Sequence, residues 1–192
     1  MAVAGAATRL SARDWVQAAL DVLVEEGIAG VRIPRLCERL EVTKGSFYWH
    51  FPDLDAFLDA VAAAWAEEAT RLPEEATRLP EEAAPAGSGE GQLLAAMQRF
   101  ADPRNRTLAR AMRDWAQHDP RARAAVAAVD ATVFGALREA LEGLGFDRDD
   151  AEVRAKVLYY TGVGYAHVGP LGRQDTAEAQ LRATWALLAS RP

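Results

Sequence analysis

Apolar residues recur at helical spacing along almost the whole chain. Trp15, Ala19 and Leu23 form one i, i+4 row, and Val16, Leu20 and Val24 form the row beside it. Ser11 with Asp14 three residues on is a capping-box start, in which each side chain can reach the other's backbone N–H, and Gly27 is a natural stop. No alternating, strand-like stretch exceeds Gly30–Ile33. A short helix is predicted over Ile33–Leu40, with Pro34 in its first turn, where a missing N–H does no harm. A tight turn at Glu41-Val42 follows, then a second short helix from Thr43 to His50. Pro52 opens a further helix carrying Leu54, Phe57, Leu58, Val61 and Trp65, with Asp53 and Asp55 set favourably against its dipole.

The segment after this helix repeats itself. Glu67–Pro73 reads EEATRLP and Glu74–Pro80 reads the same. Two copies are too few for a solenoid, and Pro73 and Pro80 interrupt any coiled coil, so the repeat reads as a lengthened surface connection. Ala83–Gly91 has linker composition. Beyond it, Asp102-Pro103 and Asp119-Pro120 both pair an N-cap with an N1 proline. The helix after Pro120 is expected to stop among Gly143 and Gly145. A long helix opening at Asp149-Asp150 places Val153, Val157, Tyr160, Gly164 and Val168 along one face, and a last helix starts at Thr176. The reading is all-α, with about nine helices. It divides into a helix-turn-helix domain at 1–55, a connecting segment at 56–91, and a helical effector-binding and dimerisation domain at 92–192.

Composition narrows the classes. The chain has 192 residues, half of them hydrophobic, as in ordinary globular proteins. No apolar run nears the roughly 20 residues that span a bilayer, and Met1–Leu10 lacks the features of a secretory signal. A single cysteine, Cys37, gives no internal disulfide and suits a reducing cytoplasm. The net charge of −6 argues against a nucleic-acid binder, but its distribution does not. Residues 1–52 hold six basic and six acidic residues, so the whole excess of acid lies in the remainder. An acidic body would direct a locally basic head toward DNA.

The informative stretch is Val31–Phe51, VRIPRLCERLEVTKGSFYWHF. Two short helices around a tight turn, behind a longer one, follow the helix-turn-helix plan, whose second helix enters the major groove by its N-terminal residues. Lys44 stands in the first turn of that helix, where a cation opposes the dipole unless a phosphate or guanine edge faces it. Gly45 costs about 1 kcal/mol against alanine in a helix, which makes sense if a bulky surface must come close. Ser46 can bond a base edge, while Tyr48 and His50 carry polar tips suited to phosphate oxygens. Trp49 could pack on the sugar-phosphate backbone or on the preceding helix. Phe47 and Phe51 share a face and are expected in the core.

T-K-G-S-F-Y-W-H-F followed by an acidic helix start resembles the signature of TetR-family regulators, and the resemblance covers residues 11–65. It implies DNA contacts from Thr43, Lys44, Ser46, Tyr48, Trp49 and His50, to which the helix-cost argument adds Gly45, with Arg32 and Arg35 near the adjacent backbone. Two positions depart from the pattern. Glu41 stands where the turn usually has glycine, and a left-handed backbone there would strain it by about 1 kcal/mol. Asp53-Leu54-Asp55 offers no cation where the family often has lysine, so a phosphate contact there would need backbone N–H groups.

The resemblance further implies a homodimer on a palindromic double-stranded operator, and a small-molecule effector that releases a repressor. Candidate pocket residues are Met97, Phe100, Met112, Trp115, Phe134 and Tyr160, which suit an apolar or aromatic ligand, although each taken singly reads more readily as plain core. Candidate dimer residues, on the last two helices, are Val157, Gly164, Tyr165, Leu181, Trp185 and Leu188. His118 and His167 read as structural or exposed, and Asp130 calls for a partner such as Arg110 or Arg113. No phosphate-binding glycine loop, metal-spaced Cys/His set or nucleophile elbow suggests an enzyme, a cofactor or a metal. The rival reading is a dimeric helical interaction protein that has lost specific DNA binding.

Overall fold

The structure is a computed structural model. It describes residues 10–71, 102–169, 179, 183–184 and 186–188. Among these there are seven α-helices and one 3-10 turn and no strand: α1 (Ala12–Glu26), the turn Ile28–Gly30, α2 (Ile33–Leu40), α3 (Lys44–Tyr48), α4 (Leu54–Thr70), α5 (Pro103–Ala116), α6 (Pro120–Gly143) and α7 (Arg148–Val168). Residues 179, 183–184 and 186–188 are helical too. The second EEATRLP copy and the linker lie outside the described residues.

The chain forms two compact units, one ending at Trp65 and the other beginning at Ala66. The sequence reading ended the head at residue 55. Phe57, whose ring meets Phe47 at 5.2 Å and Phe51 at 4.8 Å, holds the first turns of α4 to the head's core. Trp15 of α1 closes the same aromatic cluster from the other side, edge-on to Phe47 at 5.3 Å. Trp15, Phe47 and Phe57 are all fully buried, so one cluster fixes α1, α3 and α4. α1 starts in the expected capping box, with Ser11 Oγ accepting from Asp14 N–H and Asp14 Oδ2 accepting from Ser11 N–H. Gly27 ends it at φ 72°. Gly30 then passes so close to α1 that an added Cβ would lie 2.6 Å from Glu26 Cβ, which leaves room for glycine alone.

In the second unit, Asp102 and Asp119 cap α5 and α6 ahead of their prolines, as the sequence indicates. α7 opens at Arg148 with Asp147 as the cap, slightly earlier than Asp149-Asp150 suggested. Leu137, Ala140, Leu141, Phe146, Ala151 and Ala155 form the core between α6 and α7, with Phe134, Leu158 and Tyr159 packed against it. Arg154 lies over the Phe146 ring and donates to the Leu188 carbonyl. No described helix is long and apolar enough to cross a membrane.

Candidate nucleic-acid interface

The turn between α2 and α3 is closed by backbone bonds. Glu41 N–H donates to Glu38 O at 3.2 Å, and Val42 N–H donates to Cys37 O at 3.0 Å. These bonds require Glu41 to adopt φ 55°, ψ 41°, the left-handed conformation. It is the one non-glycine residue at positive φ among the described residues. Thr43 then turns extended, at φ −84° and ψ 159°, and α3 begins at Lys44.

α3 has one buried face and one bare face. Phe47 fills the core, while Thr43, Lys44, Gly45, Tyr48 and Trp49 are exposed and Ser46 and His50 are half-buried. Trp49, at 87% exposure, packs against neither the preceding helix nor the core. A free indole of that size in water is unfavourable, so a surface that covers it gains apolar burial. Thr43 stands at the N-cap position, yet its side chain makes no capping bond, unlike Ser11, Asp102 and Asp147. Its hydroxyl therefore stays available. An added Cβ at Gly45 would meet only Thr43 Oγ1, at 3.7 Å, so nothing in the head's own packing demands glycine there.

The cations divide into two pairs. Arg35 Nε donates to Glu26 Oε1 at 2.7 Å, and Arg39 grips Glu25 with bonds of 2.7 and 2.9 Å. Both fasten α2 to the end of α1. The Arg39 bond also holds the Glu25 carboxyl below its ordinary pKa and raises that of Arg39. Arg32 and Lys44 are exposed, and no carboxylate pairs with either among the described residues. Of the two predicted arginines, Arg32 is free for a phosphate and Arg35 is committed to Glu26. Asp53 accepts the Ala56 N–H at 2.8 Å, so a carboxylate already occupies part of the α4 N-terminus.

Phe47 and Phe51 lie in the core, as their spacing suggests. Of the predicted pocket residues, Met97 and Phe100 lie outside the described residues. Met112 and Trp115 are buried, and Phe134 packs on the α6–α7 core. Tyr160 is 68% exposed on α7. The inward tyrosine is its neighbour Tyr159, since one residue turns a helix by about 100°. Of the dimer candidates, Val157 and Gly164 are exposed, and Tyr165 is half-buried under the Arg106 guanidinium. Leu188 is half-buried, and Leu181 and Trp185 fall outside the described residues.

An open cleft of about 500 Å³ in the second unit is lined by Arg113, Ala116, Gln117, Arg123, Val126, Val163, Gly164 and His167. Of the predicted pocket residues that are described, Met112, Trp115, Phe134 and Tyr160, none is among these lining residues. Its two arginines and its histidine stand one on each of three helices, and no sequence spacing links them.

The comparisons agree with this geometry. Residues 16–61 match the family model described as bacterial regulatory proteins, tetR family. The tetracycline repressor protein class A from transposon 1721 of Escherichia coli is 43% identical over 61 residues, which is 32% of this chain and 28% of that protein. The class C repressor of Escherichia coli is 43% identical over 49 residues, 26% of this chain and 22% of its own length. The chain thus spans less than a third of the curated relatives it matches. A transcriptional regulator from Rhodococcus sp. shares the fold with a TM-score of 0.73 at 20% identity, over 95% of this chain and 100% of its own. Reduced NemR of Escherichia coli does so with a TM-score of 0.67 at 20% identity, over 95% and 100%. Residues 16–61 thus match the helix-turn-helix segment of bacterial regulatory proteins of the tetR family, and the helical fold is shared with these solved structures.

Proposed function

We propose that the chain is a DNA-binding transcriptional regulator that acts as a homodimer on a palindromic operator, and that it is a repressor released by a small molecule. The observation that carries this reading is the bare face of α3. It presents an unpaired cation, an uncapped threonine, a sterically unneeded glycine and a solvent-exposed tryptophan on one helix held rigidly from behind. Each is unfavourable in the free protein, and each is satisfied by a DNA groove. The repressor reading also draws on the names of the two tetracycline repressors that match the same segment.

The second copy is suggested by α7. Val153, Val157, Tyr160 and Val168 expose apolar surface along one helical face, with exposed Gly164 among them. A two-fold pairing of such faces would bury them and set two heads about one turn of DNA apart.

Selection of bound fragments from genomic DNA, followed by sequencing, tests the reading. A palindrome whose affinity falls steeply with salt is the expected result. Weak binding indifferent to sequence would replace it with the interaction-protein reading.

A further inference from the structure

The cleft in the second unit is lined by two arginines, of which Arg113 is paired with Asp130 and Arg123 has no carboxylate partner among the described residues. Arg123 is exposed near the start of α6, and its Nη2 makes a long bond of 3.5 Å to the Gln117 carbonyl. Across the cleft, His167 uses Nδ1 to donate to the Val163 carbonyl at 2.9 Å, and its Nε2 has no hydrogen-bond partner among the described residues. Arg113 forms a third side of the wall while bonded to Asp130. Among the described residues no carboxylate lines the cleft, and Val126 and Val163 supply apolar wall between the polar groups.

We infer that this cleft binds a small organic anion, with its carboxylate on Arg123 and its apolar body against Val126 and Val163. The inference rests on the effector-regulated reading above and names the chemical class of the effector. A neutral aromatic ligand would leave the exposed Arg123 guanidinium to solvent. A carboxylate gives it a charge-assisted partner. The volume suits a ligand of drug-like size or smaller.

Calorimetry on the full chain, without DNA, tests the class with two matched pairs of probes: 1-naphthoate against 1-naphthalenemethanol, and decanoate against decanol. At least one acid should bind one per chain, about tenfold or more tighter than its alcohol. Arg123→Gln should remove that preference and Arg123→Lys should largely keep it. Arg123 is exposed, so thermal melting should be unchanged in both variants. Equal binding of acid and alcohol, a preference that survives Arg123→Gln, or no binding of any probe would each overturn the inference. Binding to the selected operator is measured separately. Its failure with acid binding intact would remove the regulator reading and leave the anion site, and the reverse result would remove the site alone.

Discussion

Arg113 on α5 and Asp130 on α6 are joined by two hydrogen bonds, Nη1 to Oδ2 at 3.0 Å and Nη2 to Oδ1 at 2.6 Å. The same Nη2 also donates to the Tyr159 hydroxyl of α7 at 2.7 Å. One guanidinium therefore ties three helices. Both side chains of the pair retain some solvent contact, so its worth lies between that of a surface pair and that of a fully buried one. Arg113→Met should cost about 2 kcal/mol in urea unfolding, because it leaves a carboxylate and a phenol without their donor.

The tyrosine of this joint gives a pH signature. Burial, and then the neighbouring Asp130 carboxylate, push the Tyr159 phenol up to about 12, against the opposing pull of Arg113. A group raised in the folded state stabilises it fully below its unfolded pKa, about 10 for tyrosine, and loses that contribution as pH rises toward the folded value. Stability should therefore fall more steeply between pH 10 and 12 in the wild type than in Tyr159→Phe. Parallel curves for the two proteins would show that the phenol is not held neutral.

Glu41 sits at φ 55° because the closing bonds of the turn leave it no other backbone. Glu41→Gly should stabilise the head by about 1 kcal/mol, read from urea unfolding. The side chain is exposed, so the gain should come from the backbone alone.

Gly45→Ala should move two measurements in opposite directions. The space around an added Cβ is open and alanine favours helix, so stability should rise by up to about 1 kcal/mol. Affinity for the selected operator should fall, since the methyl group stands on the face proposed to meet DNA.

Val157→Glu places a charge on the exposed apolar face of α7 without disturbing the core. Sedimentation should show a shift from dimer to monomer with the melting profile of each unit preserved. Operator affinity should drop in proportion to the lost pairing. A dimer of unchanged strength would move the pairing surface elsewhere.

The local signals of the fold were legible in the sequence. Ser11 with Asp14, and Asp102 and Asp119 before their prolines, announce helix starts through side chains that cap the backbone beside them. The strain at Glu41 was legible too, since an αL position disfavours any residue with a Cβ. Contacts distant in sequence were not. The commitment of Arg35 to Glu26 depends on how α2 packs across α1, and periodicity says nothing of that. That Tyr160 is exposed and Tyr159 packed was not legible either, because a periodic stripe marks a face without saying what it faces. The joint from Arg113 through Asp130 to Tyr159 was half legible: Asp130 on an apolar stripe demanded a cation, and only the fold could choose Arg113 over Arg110.

The central claim is that α3 reads DNA, and Lys44 tests it most directly. Its charge is unpaired, it lies on the surface, and its replacement disturbs no packing. Lys44→Glu should abolish specific binding to the selected operator across a salt series while leaving thermal melting and dimerisation unchanged. Wild-type affinity and an unchanged salt slope in that variant would contradict the account.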